Sequence, residues 1–271
     1  MLTRVDVVSE NPFFLNIRDA RPTDSIIVDK IEGLDPPDID TFMGDYARDG
    51  GSYGGRRVPP RNVVFYLTLN PNFKLDETHA GLRTLLYKAF LDPYSDSDGV
   101  KILLKDDMLP DRYVFGYVEK FECDIFAEEP TAMISMLCPD PYLLDDALAV
   151  TNASGPTVPF NYAGTAETGI LVEATFTTAT SVFKLDLNGK VMTMNYGFQS
   201  GDKVVLDTNR GSRKLQVIRS GVTTDILYAL ASTYWHEVHA PNNTMKAYGA
   251  NSSSVVANLT KLTTRGRHWG I

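Results

Sequence analysis

The chain has 271 residues, with 26 Lys and Arg against 34 Asp and Glu, a formal net charge of −8 and a pI near 5.0. Its 43% apolar and 22% charged residues describe a soluble globular protein of one large or two ordinary domains, which excludes collagen-like, disordered and disulfide-scaffold classes. So acidic a chain lacks the basic footprint of a duplex-DNA binder, and no sequence-specific nucleic acid contact is expected.

The first twelve residues are charged and broken by Pro12, which is not the pattern of a signal peptide. No run of about 18 apolar residues occurs, so no membrane insertion is expected. Residues 25–31 and 63–69 read as strands, and in the second Val63, Phe65, Leu67 and Leu69 share one face. Between them, residues 44–57 are glycine-rich and lack the Lys-Ser/Thr of a phosphate loop. They read either as a mobile surface loop or as a subunit contact anchored by Asp49, Gly50, Tyr53, Arg56 and Arg57. A helix follows, with Asp76 as the expected N-cap, an apolar stripe of Leu82, Leu85, Leu86, Ala89 and Phe90, and Asp92-Pro93 as its stop.

Residues 92–99 resemble a calcium loop, but Tyr94 and Lys105 stand where ligands belong, so the segment reads as a solvated turn. Strands are expected at 100–104, 112–126 and Thr131–Cys138. The middle one places Tyr113, Phe115, Tyr117, Phe121, Cys123 and Ile125 on one face. It is long enough that part of it projects or serves two contacts. Cys123 and Cys138 belong to no CxxC or Cys/His cluster and read as reduced thiols packed in strands.

The chain divides near residue 150, giving expected domains 1–150 and 151–271. Through Pro141 there are 15 basic and 25 acidic residues, and beyond it 11 and 9. Residues 151–159 form a Ser/Thr/Gly/Pro linker or edge segment. After them the chain reads as short strands, at 169–176, around Phe183–Leu187 and Val191–Met194, at Lys203–Asp207, Lys214–Arg219, 244–247 and 255–262. Asn188-Gly189 marks a hairpin, because both turn positions need positive φ. The fold class is therefore mainly β: a β-rich N-terminal domain with one helix, then a β-sandwich or jelly roll.

Chemical motifs are few. His236-Glu237-Val238-His239 falls one residue short of the HExxH metalloprotease spacing, and on a strand its histidines diverge. No nucleophile elbow, Walker loop, dinucleotide fingerprint or kinase signature is present. Four N-x-[ST] matches, at Asn152, Asn242, Asn251 and Asn258, lack a secretory context. No catalytic, cofactor or metal site is expected. The sequence leaves open whether residues 265–271 are an ordered end or a contact tail, with a frayed terminus as the default.

The order Ile31-Glu-Gly-Leu-Asp-Pro-Pro37, Ala47-Arg-Asp-Gly-Gly-Ser-Tyr53, the strand at 63–69, the helix around Leu82 and the close Leu137-Cys-Pro-Asp-Pro-Tyr142 resembles the distal tail proteins of long-tailed, non-contractile bacteriophages. The resemblance implies a structural, non-enzymatic virion protein of the tail tip, assembled in the host cytoplasm. It implies a homohexameric ring built by the N-terminal domain, often with a protruding β-hairpin belt, and an outward galectin-like C-terminal domain. The implied partners are the tail-tube protein, the tail hub or fibre protein and the tape-measure protein. On this reading the tip of the long strand, around Met108, Leu109 and Tyr113, reaches a neighbouring subunit, and the acidic first half suits a ring around a DNA channel. The alternative is a carbohydrate-binding envelope adhesin, using Tyr234 and Trp235, with Tyr248 and Trp269, to stack on sugars. A glycoside hydrolase would need a carboxylate pair that the sequence does not locate.

Overall fold

The computed structural model describes residues 1–8, 12–18, 24–45, 51–91, 99–124, 126, 130–232, 234–239 and 241–271. The chain is mainly β and divides into two compact units, Met1–Asp146 with Trp269–Ile271, and Ala147–His268. The calcium-like segment 92–98 lies outside the described residues.

Unit 1 runs through β1 (Leu2–Val8), β2 (Phe13–Asn16), β3 (Ile26–Glu32), β4 (Asp40–Asp45), β5 (Gly51–Arg57) and β6 (Arg61–Leu69). A 3₁₀ turn (Phe73–Leu75) and helix α1 (His79–Phe90) follow, then β7 (Val100–Asp106), β8 (Arg112–Asp124), β9 (Thr131–Cys138) and β10 (Leu143–Asp145). The main sheet has the order β2-β1-β7-β8-β9-β6-β3, with β10 on the start of β8. It curls until its end strands β2 and β3 meet. Alternation drives this: Val63, Phe65, Leu67 and Leu69 of β6 are buried, as are Ile134 and Met136 of β9.

Helix α1 packs on that inner face through Leu82, Leu86, Ala89 and Phe90, with the Phe90 ring 5.7 Å from Phe65. Burying each of its large apolar side chains contributes about 1.5–3 kcal/mol. Leu85 lies on the solvent side of the helix. The N-cap is Thr78 rather than Asp76: its extended backbone lets Oγ1 accept the Gly81 N–H at 3.0 Å. Asp76 instead has φ +57°, closing the 3₁₀ turn, a conformation an Asx residue tolerates.

Strand β8 does not keep its aromatic residues on one face. Its first part pairs with β7 and its second with β9, so its length serves two neighbours. A bulge between Val118 and Lys120 inserts Glu119. One extra residue exchanges the faces, so Phe115 and Tyr117 point to solvent while Phe121 and Cys123 turn to the core. Because β7 is held between β1 and β8, Met108 and Leu109 sit on a turn closing two sheet strands. Cys138 is buried, which pushes its thiol pKa up to about 11, and both cysteines are free.

Unit 2 runs through β11 (Ala149–Gly155), β12 (Thr157–Asn161), β13 (Leu171–Phe176), β14 (Thr180–Leu187), β15 (Lys190–Phe198), β16 (Lys203–Asp207), β17 (Lys214–Arg219) and β18 (Val222–Asp225). A 3₁₀ turn (Leu227–Ala229), β19 (Asn242–Tyr248) and β20 (Ala257–Thr264) complete it. A six-stranded sheet, β11-β20-β13-β16-β17-β18, and a four-stranded sheet, β12-β19-β14-β15, contribute to one core. Val172, Ala174 and Leu206 of the first sheet and Phe183, Leu185 and Met194 of the second belong to it, and Phe176 stacks on Phe198 at 4.4 Å. Asn188 and Gly189 have φ +53° and +88°, as the hairpin requires. The Ser/Thr/Gly/Pro segment forms the edge strands β11 and β12, and Pro159 is tolerated because β12 pairs on one side only.

Candidate assembly surface

The glycine-rich segment forms structure of its own. Strands β4 and β5 make a separate two-stranded sheet, with Asp40 opposite Arg57, Thr41 opposite Arg56 and Met43 opposite Tyr53. A bulge adds Gly54, and Gly55 takes φ +128°, which L side chains rarely adopt. Phe42 is 54% exposed, Met43 62% and Tyr53 61%. Asp49 and Gly50, expected to share this contact, lie outside the described residues. Among the described residues, Asp38, Asp40, Arg56 and Arg57 form no ion pair with one another.

The base of this hairpin is tied down from below. Arg61 opens β6 and shares the inward parity of Val63 and Phe65, so its side chain enters the core and is 2% exposed. Its Nε donates to Pro141 O at 2.7 Å, Nη1 to Gly33 O at 2.6 Å and Asp35 O at 2.8 Å, and Nη2 to Trp269 O at 2.5 Å. Burial pushes the guanidinium pKa down, yet four carbonyl dipoles satisfy it. Gly33, at φ +82°, approaches so closely that an added Cβ would stand 1.8 Å from Asn62 O.

The C-terminal residues are not frayed. Arg112 Nη1 donates to Gly270 O at 3.1 Å, and Ile271 N donates to Leu34 O at 3.3 Å. The Trp269 ring meets Tyr142 edge-on at 4.9 Å, and the Arg56 guanidinium lies 5.9 Å over it. Residues 269–271 therefore strap the loop that leads into β4. Arg61 escaped the sequence reading, although its parity in an otherwise apolar alternation is a usable signal. Phe42 and Met43 escaped because a two-residue apolar pair carries no periodicity.

The other expected residues lie elsewhere. Met108 is 86% exposed and Leu109 partly so; both backbone N–H groups donate to Asp106 Oδ1, which also binds the N-terminal ammonium at 2.9 Å. These bonds, the Met108 N–H first, hold the Asp106 carboxyl below its usual range. Tyr113 is half-buried with the Lys101 ammonium 4.4 Å over its ring. The hairpin group and the turn group thus sit on different elements.

In unit 2, Tyr234 is exposed and its hydroxyl donates to Val191 O. Trp235 is half-buried against the core, with Arg213 5.1 Å over its ring. His236 is fully buried, its Nε2 3.0 Å from Leu185 O, whereas His239 is half-exposed with Nδ1 3.6 Å from Glu167. The two histidines part company, and among the described residues no group of three or more His, Cys, Asp or Glu could hold a metal. No described helix is long and apolar enough to cross a membrane.

What this geometry offers is contact surface: a mainly β protein of two units with exposed apolar and charged side chains. Residues 163–260, which lie within unit 2, match the family described as siphovirus-type tail component, C-terminal domain. The fold over both units is similar to that of the SPP1 Dit protein (gp 19.1), described as a paradigm of the hub adsorption apparatus in phages infecting Gram-positive bacteria. The TM-score is 0.65 at 18% identity, covering 90% of this chain and 94% of that one. A chain of the phage P2 baseplate in its activated conformation aligns over 100% of both chains at 8% identity with a TM-score of 0.48. Among curated proteins there is no match.

Proposed function

We propose that this chain is a structural protein of the phage tail tip that closes into a homohexameric ring, joining the last ring of tail-tube subunits to the hub and the receptor-binding apparatus. The observation that carries the reading is the family match over residues 163–260. The fold likeness to SPP1 Dit across both units supports it. In this reading unit 1 builds the ring and unit 2, galectin-like, projects outwards. The β4–β5 hairpin, with its exposed Phe42, Met43 and Tyr53 and its Asp and Arg at the base, is a subunit contact. The acidic balance of the first half, 25 against 15 charges, suits a lumen through which DNA slides without sticking. No enzymatic step is assigned, and the protein belongs to the virion.

The test is the solution mass of the full chain by light scattering after gel filtration, with negative-stain imaging of the main peak. The expected result is a mass near six chains and annular particles. A monomer at every concentration overturns the ring reading.

A further inference from the structure

Unit 1 carries two further apolar surfaces, and they differ in shape. The first is a knob. Phe73 and Leu75 are 70% and 69% exposed on the 3₁₀ turn before α1, with Lys74 between them. The turn is pre-organised: Asn72 Oδ1 accepts the Lys74 N–H at 3.1 Å, and Leu75 N donates to Asn72 O at 2.9 Å. The Glu77 carboxylate accepts both Asn72 N at 2.8 Å and Ser25 Oγ at 2.6 Å. A knob held this way loses little entropy on docking.

The second surface is flat. Phe115 and Tyr117 on β8 meet edge-to-face at 5.7 Å, and Leu137 on β9 stands directly opposite Tyr117. All three are exposed; Glu119 bulges out of the ladder two residues beyond Tyr117, and Lys120, opposite Ser135 on this same face, is paired with Glu122 at 2.8 Å, so Glu119 is the carboxylate beside the patch that makes no ion pair among the described residues. The bulge also fixes where this face points. Tyr87 of α1 packs on Phe121 at 4.7 Å, on the core side of β8, whereas Phe115 and Tyr117 lie on the solvent side. The sheet therefore separates the knob's helix from the flat face, and one copy's knob cannot reach its own flat face.

Two unlike surfaces separated by one sheet, one bearing a lysine and the other a glutamate, are what a head-to-tail contact between identical chains uses. We propose that the Phe73–Leu75 turn of one copy docks on the Phe115/Tyr117/Leu137 face of the next, with Lys74 beside Glu119, and that repetition of this contact closes the ring. The inference rests on the ring reading and names a contact separate from the β4–β5 hairpin.

The test uses the full chain and two double variants, Phe73→Asp with Leu75→Asp and Tyr117→Lys with Leu137→Lys. All four positions are exposed, so both variants should keep the parent's circular dichroism and thermal transition. Sedimentation should show each variant alone as a monomer, with self-association weakened at least about 30-fold. A mixture should give a one-to-one dimer, because one intact knob meets one intact flat face. Lys74→Glu should weaken assembly, and adding Glu119→Lys should restore it. If the parent forms rings and the variants do too, these surfaces are the wrong ones while the ring reading stands. Monomeric variants that do not pair on mixing also overturn the contact. A monomeric parent overturns both readings.

Discussion

The hairpins β4–β5 and β14–β15 share one covalent plan and differ in everything that stabilises them. β14–β15 turns through Asn188-Gly189, buries Phe183, Leu185, Met192 and Met194, and pairs onward with β19. Among the described residues β4–β5 pairs with nothing else, and its described side chains are almost all exposed. An isolated two-stranded hairpin is marginal in water. This one takes its support from its base, where Arg61 and residues 269–271 hold the preceding loop. A hairpin that contributes nothing to its own core is free to serve a contact, while one that builds the core is not.

The largest effects should come from removing what holds each side of that comparison. Phe183→Ala empties part of the core under β14–β15 and should cost unit 2 about 3–5 kcal/mol. The two tryptophans divide between the units, so Trp235 fluorescence in a Trp269→Phe background should record the lowered urea midpoint. Next comes Arg61→Met, which strands the carbonyls of Gly33, Asp35, Pro141 and Trp269 and should cost unit 1 about 3 kcal/mol. Trp269 fluorescence in a Trp235→Phe background reads it. An unmoved midpoint would show that the strap holds without its arginine.

Phe42→Ser with Met43→Ser should change the stability of either unit by less than about 0.5 kcal/mol, since neither side chain is buried. It should nevertheless lower the oligomer mass seen by light scattering, and an intact oligomer would remove the hairpin from the assembly. The smallest effect is acid sensitivity. Burial lowers the His236 pKa against the raising influence of the Leu185 carbonyl and Asp186, with Lys190 adding to the lowering. Below the unfolded value of about 6.5 the unfolded chain takes up a proton that the folded chain refuses. Stability of unit 2 should be fully present above that pH and decline as pH falls. His236→Gln should flatten that part of the urea-midpoint profile, and an unchanged slope would assign it to other groups.

Much of this was legible residue by residue. Val63, Phe65, Leu67 and Leu69 announce β6, whereas the burial of Arg61, which falls in step with them, went unread because a charged residue at a strand's first position reads as exposed. The Leu82–Phe90 stripe marks α1, though the cap shifted from Asp76 to Thr78 because the 3₁₀ turn consumed the aspartate. The β8 faces were misread from alternation, since a bulge adds a residue without leaving a compositional trace. Tyr234 and Trp235 are candidates for stacking on sugars only under the alternative reading, and the structure exposes the first and packs the second, half-buried, against the core.

Composition, alternation and turn chemistry alone determined that the protein is β-rich, that it has one helix in its first half and where most of its core strands run. Those properties are set by local periodicity, which short-range backbone geometry enforces. Only the tertiary structure decided that residues 269–271 return to unit 1, that Glu119 exchanges the faces of β8 and that β4–β5 stands apart from any core. Each of these depends on hydrogen-bond partners distant in sequence, such as Arg61 and Trp269, and no local pattern records which carbonyl a buried guanidinium will find.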